Sequence, residues 1–297
     1  MDNKLNIENT QAKMLQELVA KKAPVKNSST KFIAIASGKG GVGKSTMSAN
    51  IAYALSKLSF KVALFDADIG LANLDVLLNV KTKKNILHVL KGEISMSEAV
   101  VQIDDNLTLI PGESGTEILK YATEEVLDKF IEESGKLDDF DFVIIDTGAG
   151  IGDTVQKFVN ASDMAIIITT PDPTAITDAY AMVKVISAKR DNVQMILNQV
   201  VSEKEAVLNY EKIAKIAASK IRSDFSLEFL GYICRDPDVQ KSVKGRFLFA
   251  KNYPNAKCTS EIEKISWKLS EKMERNMLGT DRESGLTGFF KRLIRHM

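Results

Sequence analysis

A chain of 297 residues with 44% hydrophobic content is long enough to bury a full α/β core. Its formal net charge of +1 supplies no overall attraction to nucleic acid, and Cys234 and Cys258 lie too far apart in sequence for a C-x-x-C redox or zinc motif. The N-terminus carries no apolar leader and no run approaches the roughly 20 apolar residues that span a bilayer, so the sequence predicts a cytoplasmic protein.

In chain order, residues 4–22 read as a short polar helix with Leu5, Ala12, Leu15, Leu18 and Val19 apolar, and a Pro/Ser/Lys linker follows through Thr30. Residues 1–30 are therefore expected to lie outside the core. The apolar run 32–36 reads as a buried strand and 47–55 as a helix. Between them lies Gly38-Lys39-Gly40-Gly41-Val42-Gly43-Lys44-Ser45, which fits G-x-x-x-x-G-K-[ST] and carries a second lysine directly after the first glycine. A glycine-rich turn opening a helix presents unpaired N–H groups and the positive end of the helix dipole to phosphate. Lys44 is then placed to reach the β/γ oxygens of ATP, and Ser45 to ligate Mg²⁺.

Strands are expected again at 61–66, 107–111, 142–146, 165–169 and 193–198, separated by helical stretches. Runs apolar on both faces predict an α/β fold with a doubly wound, mostly parallel sheet and helices on both faces. Ligands of such sheets sit at the strands' C-terminal ends. There the sequence places Asp146, suited to hold Mg²⁺ beside Ser45, and a glycine-containing loop at 147–150 able to sense a γ-phosphate. Asp66 and Asp68 end an earlier strand, where one of them can orient an attacking water and Asp66 can reach the metal through water.

The last thirteen residues form a basic amphipathic pattern. Leu286, Phe289, Phe290, Leu293, Ile294 and Met297 fall on one stripe, with Lys291, Arg292, Arg295 and His296 on the other. Such a helix suits an anionic membrane surface; the alternative is a helix docked on the core. Residues 279–285 separate it from the helical segment around Trp267, dividing the chain into 1–30, a core domain at 31–278 that carries the phosphate loop, and a linker with tail helix at 279–297.

Lys39-Gly40-Gly41-Val42-Gly43-Lys44-Ser45-Thr46, with Asp66-Ala67-Asp68 and Asp146-Thr147-Gly148-Ala149-Gly150, resembles the deviant Walker A ATPases of the MinD/ParA family, P-loop NTPases of the SIMIBI class. Within that family, residues 66–75 most resemble the MinD branch and the FlhG-type (FleN/YlxH) regulators of flagellar number and placement. The resemblance implies a slow ATPase that forms an ATP-dependent face-to-face homodimer, in which Lys39 crosses to the partner's phosphates and Asp68 positions the hydrolytic water. It also implies adenine contacts from Asn198 and from the Asp236-Pro237 loop, although Cys234-Arg235 stands where relatives usually have proline. The tail would then be a membrane-targeting helix, holding the protein on the inner face of the cytoplasmic membrane in the ATP state.

At the other end, Gln11, Ala12 and Leu15 resemble part of the D-Q-A-x-x-L-R motif that engages the GTPase FlhF, with Thr10 and Gln16 replacing the charged ends. Flagellar switch-complex or regulatory proteins are further expected partners; a specific nucleic acid is not. The rival readings are a cell-division MinD and a ParA-type DNA-partitioning ATPase.

Overall fold

The computed structural model describes residues 30–68, 73–112, 140–275 and 285–295. Among the described residues, eight strands form one sheet: β1 (Lys31–Ser37), β2 (Val62–Ala67), β3 (Val101–Asp104), β4 (Leu107–Ile110), β5 (Phe142–Ala149), β6 (Met164–Thr169), β7 (Asn192–Val200) and β8 (Ser226–Cys234). Their order is β3-β4-β2-β5-β1-β6-β7-β8. Every neighbouring pair is parallel except the β3–β4 edge. Parallel strands require helical crossovers, which cover both faces, and this is why Ile33, Ala34, Ile35 and Ala36 are all fully buried on the central strand.

The helices among the described residues are α1 (Lys44–Lys57), α2 (Leu74–Leu77), α3 (Ile86–Leu90), α4 (Met96–Ala99), α5 (Asp153–Ala161), α6 (Pro173–Ile186), α7 (Glu203–Lys220), α8 (Pro237–Gly245), α9 (Phe249–Asn252), α10 (Lys257–Arg275) and α11 (Gly285–Arg295). On one face Ile33, Ile35, Leu64, Ile144 and Ile166 pack with Met47, Ile51 and Leu55 of α1 and Ile262, Ile265 and Leu269 of α10. The opposite face carries Ala34 and Ile167 under α6 and α7, and Phe32, Phe65, Val143 and Ile145 under α5 and α11. The expected doubly wound fold is present.

The chain leaves β1 toward β2 on one side and leaves the adjacent β5 toward β6 on the other. That reversal opens a crevice at the C-terminal ends of β1 and β5, the usual ligand position in such sheets.

The tail helix is docked on the core in this structure, the alternative its stripe also allowed. Leu286, Phe289, Phe290 and Leu293 of α11 are buried in the same cluster as Phe32, Phe65 and Phe158. Phe289 stacks on Phe32 with ring centroids 4.4 Å apart, and Phe290 meets Phe65 edge-on. Arg292 donates from Nε to the Ala161 carbonyl at 2.9 Å, at the negative end of α5, and lies 3.7 Å from Asp163. The stripe assigned to a lipid surface therefore covers the fold itself. The physical reason is β1 and β2: Phe32 and Phe65 leave an aromatic surface that α5 alone does not cover. The side chains of Ile294 and Arg295, and the residues Gln11, Ala12 and Leu15, lie outside the described set.

Candidate functional site

The phosphate loop follows β1 directly. Gly41 and Gly43 adopt φ of +81° and +90°, the left-handed region that glycine enters without steric cost. Gly43 is the N-cap of α1 and no side chain caps the helix, so its first-turn N–H groups face the crevice without a side-chain acceptor. Gly38 serves packing rather than phosphate. A Cβ there would stand 2.3 Å from the Asp178 carbonyl oxygen, so only glycine lets the loop lie against α6.

Lys44 and Asp146 form the electrostatic centre of the site. Lys44 Nζ is 2.8 Å from Asp146 Oδ1, and both side chains are almost fully buried. Ser48 Oγ donates to the same carboxylate oxygen at 2.9 Å. A buried pair of this kind is tolerable because each charge compensates the other's desolvation. Ser45 and Thr46 occupy the first turn of α1 beside the pair, half-buried and buried respectively.

Asp66 sits opposite Asp146 in the β2–β5 register. Its carboxylate accepts the Asp68 N–H at 3.3 Å and the Leu74 N–H at 3.1 Å, so it ties together both flanks of residues 69–72, which lie outside the described set. Burial, and then the like charge of Asp146, raise Asp66 to about 7. Asp68 is also raised, mainly by burial, with Lys44 opposing.

These donors fit Mg²⁺. No described group of three His, Cys, Asp or Glu side chains could cage a metal alone, but Mg²⁺ is commonly held by one or two carboxylates together with substrate phosphates. The mutual repulsion that raises Asp66 is what a divalent cation at Ser45 and Asp146 would relieve.

The loop after Asp146 is more fixed than its glycines suggest. β5 continues to Ala149, Thr147 is buried with Oγ1 donating to the Ile35 carbonyl at 3.0 Å, and Gly150 N–H donates to the Ser37 carbonyl at 2.8 Å. α5 begins at Asp153, with Gly152 as its N-cap.

The two segments expected at the adenine are held in place by bonds within the chain. Asn198 is buried, with Nδ2 donating to the Val42 carbonyl at 2.7 Å and Oδ1 accepting the Gln199 N–H at 2.8 Å. Its amide thus braces the phosphate loop, because the end of β7 comes so close that a Cβ on Gly43 would meet Asn198 Nδ2 at 2.4 Å. Asp236 is the N-cap of α8, with Pro237 in its first turn. Its oxygens accept from Asp238 N at 2.9 Å and Cys258 N at 3.4 Å, so the segment expected to close over the base is a capped helix start.

The Lys39 ammonium is held within its own chain. Its Nζ is 3.3 Å from Asp172 Oδ1 and contacts Thr174 Oγ1, both at the N-terminus of α6. Neither acceptor was singled out from sequence, although Asp172-Pro173 is an ordinary helix-start signal. Cys234 and Cys258 are buried free thiols.

A phosphate loop at the head of α1, the β5 aspartate paired with its lysine, and two further carboxylates at the end of the adjacent β2 define a P-loop nucleotide hydrolase. The ParA family profile, described as NUBPL iron-transfer P-loop NTPase, matches residues 28–270. The chain belongs to the ParA family and is an ATPase. It is 48% identical to the flagellum site-determining protein YlxH of Helicobacter pylori over 294 residues, covering 97% of this chain and 99% of that protein. The antiactivator FleN of Pseudomonas aeruginosa is 30% identical over 89% of this chain and 93% of its own. Among solved structures, MinD of the MinC:MinD cell division protein complex of Aquifex aeolicus superposes with a TM-score of 0.66 at 29% identity, covering 81% of this chain and 96% of that one. The septum site-determining protein MinD complexed with Mg-ADP from Pyrococcus horikoshii gives 0.65 at 25% identity, over 84% and 100%.

Proposed function

We propose that this ATPase is a switch that pairs with a second copy when ATP and Mg²⁺ bind, attaches to the membrane, and sets the number and placement of flagella. The observation that carries the reading is the buried Lys44–Asp146 pair beneath an uncapped phosphate loop, in a chain so close to a flagellum site-determining protein over nearly its whole length.

In this reading Lys44 is the phosphate partner of ATP, and Ser45 with Asp146 would hold Mg²⁺, which would supply neutralisation of the phosphate charge. Asp68, half-buried with its acidity lowered by burial, orients the attacking water. Lys39 crosses to the other copy and stabilises charge there, as a lysine supplied in trans does for phosphoryl transfer. Hydrolysis resets the chain to a monomer. Asn198, which also braces the loop, and the Asp236-Pro237 segment contact the adenine base.

Membrane attachment requires α11 to leave its groove, since Leu286, Phe289, Phe290 and Leu293 are buried against the fold. α5 links the two ends: it starts just after the loop at 147–152, and it carries Phe158 and the Ala161 carbonyl that hold Phe289 and Arg292. A released pair of tail helices binds an anionic surface with avidity that one lacks.

The test is flotation with anionic vesicles, using Asp68→Ala to hold the ATP state. ATP-dependent binding that disappears on deleting 285–297 is expected; binding that survives the deletion overturns the membrane role. A peptide of residues 1–25 is expected to stimulate FlhF GTP turnover, and no stimulation removes FlhF from the partner set. Cell-division placement, suggested by the likeness to MinD, is separated by motility and flagellar counts in a deletion strain: normal flagella with displaced septa would favour it.

A further inference from the structure

Lys39 is the residue on which pairing rests in the proposed function, yet the structure places its ammonium on its own chain. The acceptor site is built, not incidental. Asp172 is the N-cap of α6, and its Oδ1 accepts from Thr174 N at 3.0 Å, Ala175 N at 3.1 Å and Thr174 Oγ1 at 2.5 Å. Three donors therefore fix the carboxylate before the lysine arrives, which removes much of the entropy that weakens most exposed ion pairs. The lysine end is fixed as well. Ser37 Oγ donates to the Lys39 carbonyl at 3.0 Å, and Gly38 holds the loop against the Asp178 carbonyl at a separation that excludes any Cβ. Hydrogen bonds from Thr174 and Ala175, and then the Lys39 ammonium, hold the Asp172 carboxyl down at about 2, so it remains an anion at any physiological pH.

We propose that Asp172 and Thr174 form a parking cradle that holds Lys39 in cis in the unpaired chain, so that pairing has to draw the lysine out of it. This rests on the reading of Lys39 as the lysine that crosses to a second copy. Asp172 is then a positioning residue that acts against dimerisation: only the unparked fraction of Lys39 is competent, and the penalty enters once for each protomer. The cradle sets a threshold, keeping the chain monomeric until nucleotide offers the lysine a more strongly anionic site.

Asp172→Asn tests this without removing the helix cap, because asparagine caps as well as aspartate while carrying no charge. Dimer mass is read by light scattering across a protein titration in AMPPNP and Mg²⁺, with nucleotide affinity of the dilute monomer and the melting temperature measured alongside. The variant is expected to dimerise at about two- to tenfold lower protein concentration, the range that loss of one modest exposed pair per protomer supplies. Monomer nucleotide affinity is expected to stay unchanged. Thr174→Ala is expected to shift dimerisation in the same direction by less. An unchanged midpoint for Asp172→Asn, with wild type dimerising normally, overturns the cradle. A weakened dimer also overturns it, since the carboxylate would then be gripping a lysine in the paired state. If wild type itself stays monomeric in AMPPNP, or Lys39→Ala dimerises as wild type does, the pairing role of Lys39 fails first.

Discussion

The nucleotide crevice and the α11 groove lie at two ends of the same central strand, and they are stabilised by opposite means. In the crevice, a buried cation and anion 2.8 Å apart are held by β5 and α1, so removing one leaves the other stranded. In the groove, aromatic rings stack on aromatic rings, with one arginine closing the edge. Charge compensation tolerates no substitution and fixes one geometry, whereas apolar burial is graded and reversible. The first arrangement suits chemistry and the second suits a part that comes off.

The sharpest break in that comparison is Lys44→Met, which leaves Asp146 buried without its cation. A loss of about 3–5 kcal/mol is expected in the nucleotide-free protein. Calorimetry checks it, and ATP turnover should fall to background. Asp146→Asn in the same background should recover part of the stability and none of the turnover; if it recovers nothing, the lost stability does not come from the stranded charge.

Phe289→Ala probes the other end. Phe289 is buried between Phe32 and Phe158, so truncation is expected to weaken docking by about 3 kcal/mol. Because α11 follows the sheet and the other described helices in chain order and can undock without breaking a strand pairing, the melting temperature of the domain should move little. Limited proteolysis near residue 285 should become fast without nucleotide. Slow cleavage would show that the groove holds the helix without this ring.

The two regions also differ in how far the sequence discloses them. Gly43-Lys44-Ser45 carries its own geometry: the glycine supplies the left-handed turn, the helix start supplies the N–H groups, and no distant residue is needed to recognise it. The alternating apolar runs disclosed the sheet for the same reason. By contrast, the stripe Leu286-Phe289-Phe290-Leu293 states only that something apolar covers it. That Phe32 and Phe65 are the cover depends on contacts more than 200 residues apart in the chain. Asn198 was legible as a strand-end amide, but its bond to Val42 follows from the tight approach of β7 to Gly43, which no local pattern encodes. Asp172 was overlooked because a helix cap and an ion-pair partner have the same sequence signature.

Asp66 sharpens the crevice side through pH. Its folded value near 7 lies above the roughly 4 of an unfolded aspartate, so the native state holds an extra proton between those limits. The stability tied to that proton is present below pH 4 and is lost as pH rises through 7. Asp66→Asn removes the effect, and the nucleotide- and Mg²⁺-free variant should gain on wild type in denaturant midpoint between pH 5 and pH 8. A constant difference across that range would mean that burial does not govern this carboxyl.

The smallest expected effect separates the polar edge of the groove from its apolar floor. Arg292 caps the C-terminal end of α5 through the Ala161 carbonyl and lies near Asp163, whose Oδ2 accepts the Phe32 N–H at 2.9 Å. Arg292→Ala should cost docking about 1 kcal/mol, the scale of a cation at a helix C-terminus, and only at low ionic strength. The same substitution removes a cation that would face anionic lipid once the helix is free. It is therefore expected to loosen the docked state while weakening the vesicle-bound one, whereas Phe289→Ala loosens docking without removing a charge. Measuring proteolysis and vesicle binding for both variants at two salt concentrations distinguishes them. If Arg292→Ala loosens neither state at low salt, the arginine contributes nothing to the choice between groove and membrane, and the aromatic stack alone sets it.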